Sequence, residues 1–129
     1  MLREQIAKIG EEKALNYLLH KSHILIMRNF HCRQGEIDLI TFEKKTCIIV
    51  FTEVKTRTSD TFGSPQESIS RFKVRKILLA IYQFFQQYPR FRKYRWRIDA
   101  IALKLNTQGD LQSILHIPSL SLGIPTSNA

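Results

Sequence analysis

The chain has 129 residues, with 20 Lys and Arg against 11 Asp and Glu and a formal net charge of +9 at pH 7. Its 43% hydrophobic and 24% charged content is that of a globular domain and excludes intrinsic disorder, a collagen-like repeat or a disulfide-stapled scaffold. One domain with one modest core is expected at this length, and the basic excess favours an anionic partner, either a phosphate backbone or an acidic membrane surface.

Residues 3–20 read as a helix: Ile6, Ile9, Gly10, Ala14, Tyr17 and Leu18 recur near a 3.6 period, and Glu4, Lys8 and Glu12 are spaced for ion pairs. Three strands follow at 24–31, 36–42 and 46–55. The last is continuously apolar from Cys47 to Phe51, which points to a central strand covered on both faces. Cys47 is expected to be a small buried thiol opening that run; Cys32 is the only other cysteine, and no disulfide is expected. Short connections at Gln34-Gly35 and Glu43-Lys44-Lys45 make these strands a meander of two antiparallel hairpins.

Residues 56–63, rich in Thr, Ser and Asp, read as a loop. Ser64-Pro65-Gln66-Glu67 then starts a helix, with Ser at the N-cap, Pro at the first position and Glu completing a capping box. Ile69, Phe72, Ile77, Leu78, Ile81, Phe84, Phe85 and Tyr88 carry helical spacing up to Pro89, with room for a break near Ser70. Residues 95–105 alternate as a fourth strand, and 113–117 form a weaker fifth at an edge. From Pro118 the uncharged segment with its two prolines is expected to be poorly ordered, so the domain spans 1–117 and the tail 118–129. The longest apolar stretch, 77–85, is about half a bilayer span and contains Gln83. The N-terminus lacks the features of a signal peptide, so a cytoplasmic protein without a membrane partner is expected. The order helix, three strands, helix, strand is α+β, a sheet flanked by helices.

Phe51-Thr52-Glu53-Val54-Lys55 ends the apolar strand. Glu53 and Lys55 share a face there, roughly 7 Å apart along the chain. On the preceding strand Glu36 and Asp38 share one face and Ile37 and Leu39 the other; normal hairpin pairing brings Asp38 toward Glu53. Two convergent carboxylates with a backbone carbonyl form a hard oxygen site suited to Mg²⁺ or Mn²⁺, and a neighbouring lysine can orient water and stabilise charge on a phosphate. The same four polar residues also read as the wet face of an amphipathic sheet.

Gly35-Glu36-Ile37-Asp38-Leu39-Ile40 followed by Glu53-Val54-Lys55-Thr56-Arg57 resembles the signature of the YraN-like family of small bacterial proteins. That family is similar to archaeal Holliday-junction resolvases and RecB-type nuclease domains of the PD-(D/E)XK, restriction-endonuclease-like superfamily. Gly10-Glu11, Arg28-Asn29, Phe62-Gly63-Ser64-Pro65 and Arg97-Ile98-Asp99 extend the likeness over residues 8–117. The resemblance implies a restriction-endonuclease-like α-β-β-β-α-β core around a central mixed sheet. It makes Asp38 the Asp of the PD element, with Ile37 where that element has Pro, and Glu53 and Lys55 the (D/E)XK pair. Glu11 would be an additional acid at the metal, its alternative being a surface ion pair with Lys8. It implies Mg²⁺ (or Mn²⁺) held by Asp38, Glu53 and Glu11, catalysis by these residues with Lys55, and DNA rather than RNA as substrate, branched or junction DNA above all. A homodimer is in keeping with resolvase logic. The rival reading is a non-catalytic nucleic-acid-binding module of the same fold.

Between Glu67 and Arg97 lie nine basic residues and one acid, a net +8 that accounts for nearly the whole excess. Arg57, Arg71, Lys73, Arg75 and Lys76 are the candidate nucleic-acid contacts. The segment 90–97 interleaves Arg90, Arg92, Lys93, Arg95 and Arg97 with Phe91, Tyr94 and Trp96, a composition suited to phosphate neutralisation and base stacking. A basic track beside an acidic pocket is the expected geometry. His20, His23, His31 and His116 form no ligand motif and read as surface or half-buried residues.

Overall fold

The computed structural model describes residues 2–58 and 71–123, without the side chains of Arg71, Phe72, Lys73, Ser121 and Leu122. Of the loop expected at 56–63, Thr56 and Arg57 instead end the third strand, and its residues 59–63, the helix start at Ser64 to Glu67, the break near Ser70 and the tail 124–129 lie outside the described residues. The elements are α1 (Arg3–His20), β1 (His23–Cys32), β2 (Gly35–Glu43), β3 (Ile48–Arg57), α2 (Arg71–Gln87), a single 3₁₀ turn (Pro89–Phe91), β4 (Trp96–Leu105) and β5 (Leu111–Gly123). No described helix is long and apolar enough to cross a membrane.

The five strands lie in chain order in one mixed sheet. β1, β2 and β3 form the expected antiparallel meander, β4 runs parallel to β3, and β5 returns antiparallel to β4. A parallel neighbour requires a crossover, and the segment containing α2 supplies it. This is the α+β architecture read from the element order.

β3 is central and buried on both faces, as its apolar run implied. On one face Ala14, Leu15 and Leu18 of α1 pack with Leu39, Ile101 and Leu103. On the other, Ile77, Ala80, Ile81, Phe84 and Phe85 of α2 pack with Ile37, Ile40, Ile49, Phe51 and Ile98. Gly10 lets α1 come down onto β3, because a Cβ there would lie 1.8 Å from Thr56 Oγ1. That close approach sets Glu11, the next residue, at the C-terminal end of β3.

Three local expectations are corrected. Cys47 is exposed rather than buried: it sits in the turn before β3 with φ 58°, so the strand begins at Ile48. Ile37 and Leu39 do not share a face, since Ile37 joins the α2 cluster and Leu39 the α1 cluster. The alternation breaks at Asp38, opposite the irregular stretch of β1 where Asn29 has φ 54°. Finally, β5 does not stop at 117. Its pairing continues to Gly123 opposite Trp96, where a Cβ would fall 1.9 Å from the indole, so 118–123 is strand rather than loose tail.

Candidate active site

The β2–β3 ladder runs from Glu43 opposite Ile48 to Leu39 opposite Thr52 and goes no further. One residue beyond, the strands part. Asp38 turns its carboxylate across the gap, and its Oδ2 accepts a 2.7 Å hydrogen bond from the Val54 amide. β3 continues beside β4, with Glu53 level with Ala100 and Lys55 with Ala102. Glu53 is 7% exposed and has the Lys55 ammonium 3.7 Å from its Oε1. The fork opens into a pocket of about 660 Å³ walled by Glu11 of α1, Asp38 of β2, Glu53 and Lys55 of β3, Lys76 of α2 and the β1–β2 turn.

All four expected catalytic residues, Asp38, Glu53, Lys55 and Glu11, therefore line one pocket. Burial raises the Asp38 pKa to about 7; repulsion from Glu53, Glu11 and Glu36 adds to the rise and the Val54 amide opposes it. Burial likewise lifts Glu11, with Glu36 and Glu53 adding to it and the Arg28 guanidinium opposing. Glu36 lies at the exposed rim, its Oε2 3.1 Å from His31 Nδ1. Asp38 and Glu53 are hard oxygen donors facing a common space. Among the described residues, no three His, Cys, Asp or Glu side chains converge as ligands to one ion; Glu11 lines the same pocket as Asp38 and Glu53.

Of the five candidate nucleic-acid contacts, Lys76 reaches the pocket. Arg75 is exposed one residue earlier on α2, and Arg57 is half-buried at the end of β3. The side chains of Arg71 and Lys73 lie outside the described residues.

The basic aromatic segment is not a stacking surface beside the pocket. Phe91 stacks on Phe84 at 5.5 Å, Tyr94 meets Phe42 edge-on at 5.3 Å and Trp96 meets Phe51 at 5.9 Å, so all three close the α2 core. The segment enters β4 level with Ile49, four to six residues short of Glu53 and Lys55, or roughly 13–20 Å along the strand. The 90–97 part of the basic track thus lies toward the other end of the sheet from the acidic pocket, while Lys76 of α2 lines that pocket.

Arg97 belongs to a buried network that the sequence reading missed. Its guanidinium donates to Asp99 Oδ1 at 2.9 Å and to Glu43 Oε1 at 3.1 Å. The fully buried Asp99 also bonds His116 Nε2 at 2.7 Å and the Ser119 amide at 3.0 Å, and these contacts hold its pKa low against burial. His116 Nδ1 reaches Tyr17 Oη at 3.2 Å, tying β5 to α1. His23, 4% exposed, shares a 2.8 Å hydrogen bond with Thr41 Oγ1 and is not a surface residue; burial lowers its pKa. The available signal was an acid and a base two residues apart in an apolar strand.

A family model described as "Uncharacterised protein family UPF0102" matches residues 10–103. Among curated relatives, a UPF0102 protein of Desulforamulus reducens is 33% identical over 89% of this chain and 93% of its own length. One of Caldanaerobacter subterraneus subsp. tengcongensis is 39% identical over 89% and 93%. One of Clostridium tetani is 40% identical over 86% and 88%.

Proposed function

The chain belongs to the uncharacterised protein family UPF0102, and on that premise we propose that it is a Mg²⁺-dependent endonuclease acting on DNA, with branched or junction DNA as its substrate class. The observation that carries the reading is the fork between β2 and β3, where Asp38 is held by the Val54 amide in the same pocket as Glu53 and Lys55. Two carboxylates that crowd one another, one with its pKa raised to about 7, are relieved by a divalent cation. Mg²⁺ is commonly held by one or two carboxylates, with water and substrate phosphate oxygens completing its shell, so two acidic ligands fit it without a third.

Asp38 and Glu53 would hold the ion. When bound, it supplies Lewis-acid polarisation of the phosphoryl oxygen and lowers the pKa of coordinated water. The remaining work falls to the chain. Water adds to phosphorus and a P–O ester bond breaks, leaving a phosphomonoester and a hydroxyl. The Lys55 ammonium, at the mouth of the same pocket, orients that water and stabilises the charge that grows on the phosphoryl oxygens. Lys76 of α2, which lines the same pocket, would add positive charge that draws the phosphate in.

One observation favours the rival reading of a DNA-binding module without turnover: the 3.7 Å contact of Lys55 with Glu53 already offsets part of the acidic charge. Incubating the protein with linear, flap and four-way DNA in Mg²⁺ or Mn²⁺ separates the two. Cleavage by wild type that is lost in Asp38→Ala and Lys55→Ala supports the enzyme; binding without cleavage of any substrate leaves the module.

A further inference from the structure

Arg33 stands on the wall of the acidic pocket and is exposed, at the first position of the two-residue turn between β1 and β2. It forms no hydrogen bond, ion pair or ring contact among the described residues. Yet the carboxylates of Glu11, Glu36, Asp38 and Glu53 line the same pocket. A guanidinium that stays unpaired beside so many acids is held away from them by the backbone that carries it.

That backbone is firmly fixed. Cys32 pairs with Gly35 as the last rung of the β1–β2 ladder, and the Cys32 thiol donates to the Gly35 carbonyl at 3.3 Å. One rung back, His31 stands opposite Glu36, with Nδ1 3.1 Å from Oε2, so the acid closest to Arg33 in the chain is engaged across the ladder. Gly35 also seats the turn on α2, where a Cβ would lie 3.4 Å from the Lys76 carbonyl oxygen. Asp38 meets the Val54 amide and Glu53 meets Lys55. Arg33 is thus presented from a rigid turn with its planar fork unoccupied, the geometry that grips two oxygens of one phosphate. Gly35 and Asp38 are roughly 10 Å apart along β2, so the phosphate it would take is not the one at the carboxylates.

The opposite flank of the pocket has the wrong charge for a phosphate. Its wall at Ala7 and Glu11 is shared with a second cavity of about 860 Å³ between α1 and β1. Glu4, Glu11 and Glu12 line that cavity with Lys8 and Arg28, and Arg28 is tied to Glu12. Acids outnumber cations there, which repels a nucleic-acid backbone and leaves the β1–β2 turn as the flank that receives one.

We propose that Arg33 positions the DNA strand, its guanidinium holding the backbone phosphate next to the one at Asp38 and Glu53. The proposal rests on the nuclease reading of the pocket and adds to it the side on which the strand lies, over the β1–β2 turn and away from the acidic cavity beside α1. Arg33 touches no reacting atom; it fixes the register in which the strand reaches the carboxylates.

The test is binding of a labelled DNA flap, without divalent metal, across a salt series. Wild type is compared with Arg33→Ala, the conservative Arg33→Lys, and Lys45→Ala in the exposed β2–β3 turn at the other end of the sheet. Arg33→Ala should weaken binding about three- to ten-fold and flatten the plot of log affinity against log salt by about 0.7–0.9. Arg33→Lys should keep the wild-type slope and recover part of the affinity, because the charge remains and the fork is lost. Lys45→Ala should bind as wild type. The melting temperature of Arg33→Ala should match wild type; a fall would mark Arg33 as structural and overturn the assignment.

An Arg33→Ala variant with wild-type affinity and slope also overturns it, as does an equal loss in Lys45→Ala, and if wild type still cuts DNA in Mg²⁺ the nuclease reading survives either result. Weakened binding by Arg33→Ala alone, with no cleavage by wild type, supports the phosphate contact and removes the nuclease reading. Absence of wild-type binding overturns both. In a cleaving protein, Arg33→Ala should raise KM and leave kcat near wild type.

Discussion

Asp38 and Val54 are joined across the parting strands by a 2.7 Å hydrogen bond from main-chain amide to carboxylate. The bond lies one step past the last β2–β3 pair, so a side chain continues the join where the ladder ends. It holds the Asp38 carboxylate in the pocket with Glu53, where burial first and repulsion from Glu53 second raise its pKa to about 7 against the opposing effect of the bond itself.

The first prediction concerns pH. The folded chain holds the Asp38 proton up to about pH 7, against an ordinary value of 3.8, so between those values it binds more protons than the unfolded chain. Stability from this group is therefore full at acid pH and falls as pH rises through that window. His23, with its lowered pKa, acts in the opposite sense at mildly acid pH, so the readout is the difference from Asp38→Asn, in which His23 is unchanged. Melting temperatures of the two metal-free proteins should agree below pH 3.8, separate as pH rises from there to about 7 and stay apart above it, with Asp38→Asn the more stable. Added Mg²⁺ at the higher pH should raise the melting temperature of wild type and leave that of the variant in place.

Gly10 supplies the second. A methyl group there collides with the Thr56 hydroxyl, 1.8 Å from the ideal Cβ, and Thr56 is β-branched with little freedom to swing aside. Gly10→Ala should destabilise by about 1–3 kcal/mol in denaturant unfolding. Removing the obstacle in Gly10→Ala/Thr56→Ala should recover part of that loss, a coupling that a double-mutant cycle measures.

The third concerns the buried network. Asp99 accepts hydrogen bonds from Arg97, His116 and the Ser119 amide, and its removal leaves Arg97 partly unpaired. Asp99→Ala should cost about 3–5 kcal/mol, read in the same unfolding experiment. Because the folded-state pKa of Asp99 is depressed, its contribution is present above the ordinary carboxylate range and is lost as pH falls below it. Arg97→Ala should reduce stability and leave the salt dependence of DNA binding unchanged, the reverse of what a surface phosphate contact would do.

The element order, the central place of β3 and the approach of Asp38 to Glu53 and Lys55 were legible because periodicity and hairpin register are local properties, whereas Glu11 was pointed to by the family resemblance alone. What escaped depended on the side of the chain or on one backbone angle. Phe91, Tyr94 and Trp96 looked like a binding surface because an aromatic residue beside a cation reads alike inside and outside a core. Arg97 and Asp99 passed for a polar face, since neither periodicity nor charge reports that two such groups satisfy each other in the interior. Cys47 extended an apolar run, and only its positive φ removes it from the strand. Pro118 marked a tail, yet proline is tolerated at a sheet edge, and the Ser-Leu alternation after it is a strand pattern.

The central claim is that Asp38 and Glu53 form a divalent-cation site, and titration with Mn²⁺ followed by electron paramagnetic resonance tests it most directly. The account predicts one ion per chain at about pH 8, weaker binding near pH 6 as Asp38 takes up its proton, and loss of the site in Asp38→Asn and Glu53→Gln. Equal Mn²⁺ binding by wild type and both variants, or binding indifferent to pH across that range, would contradict it.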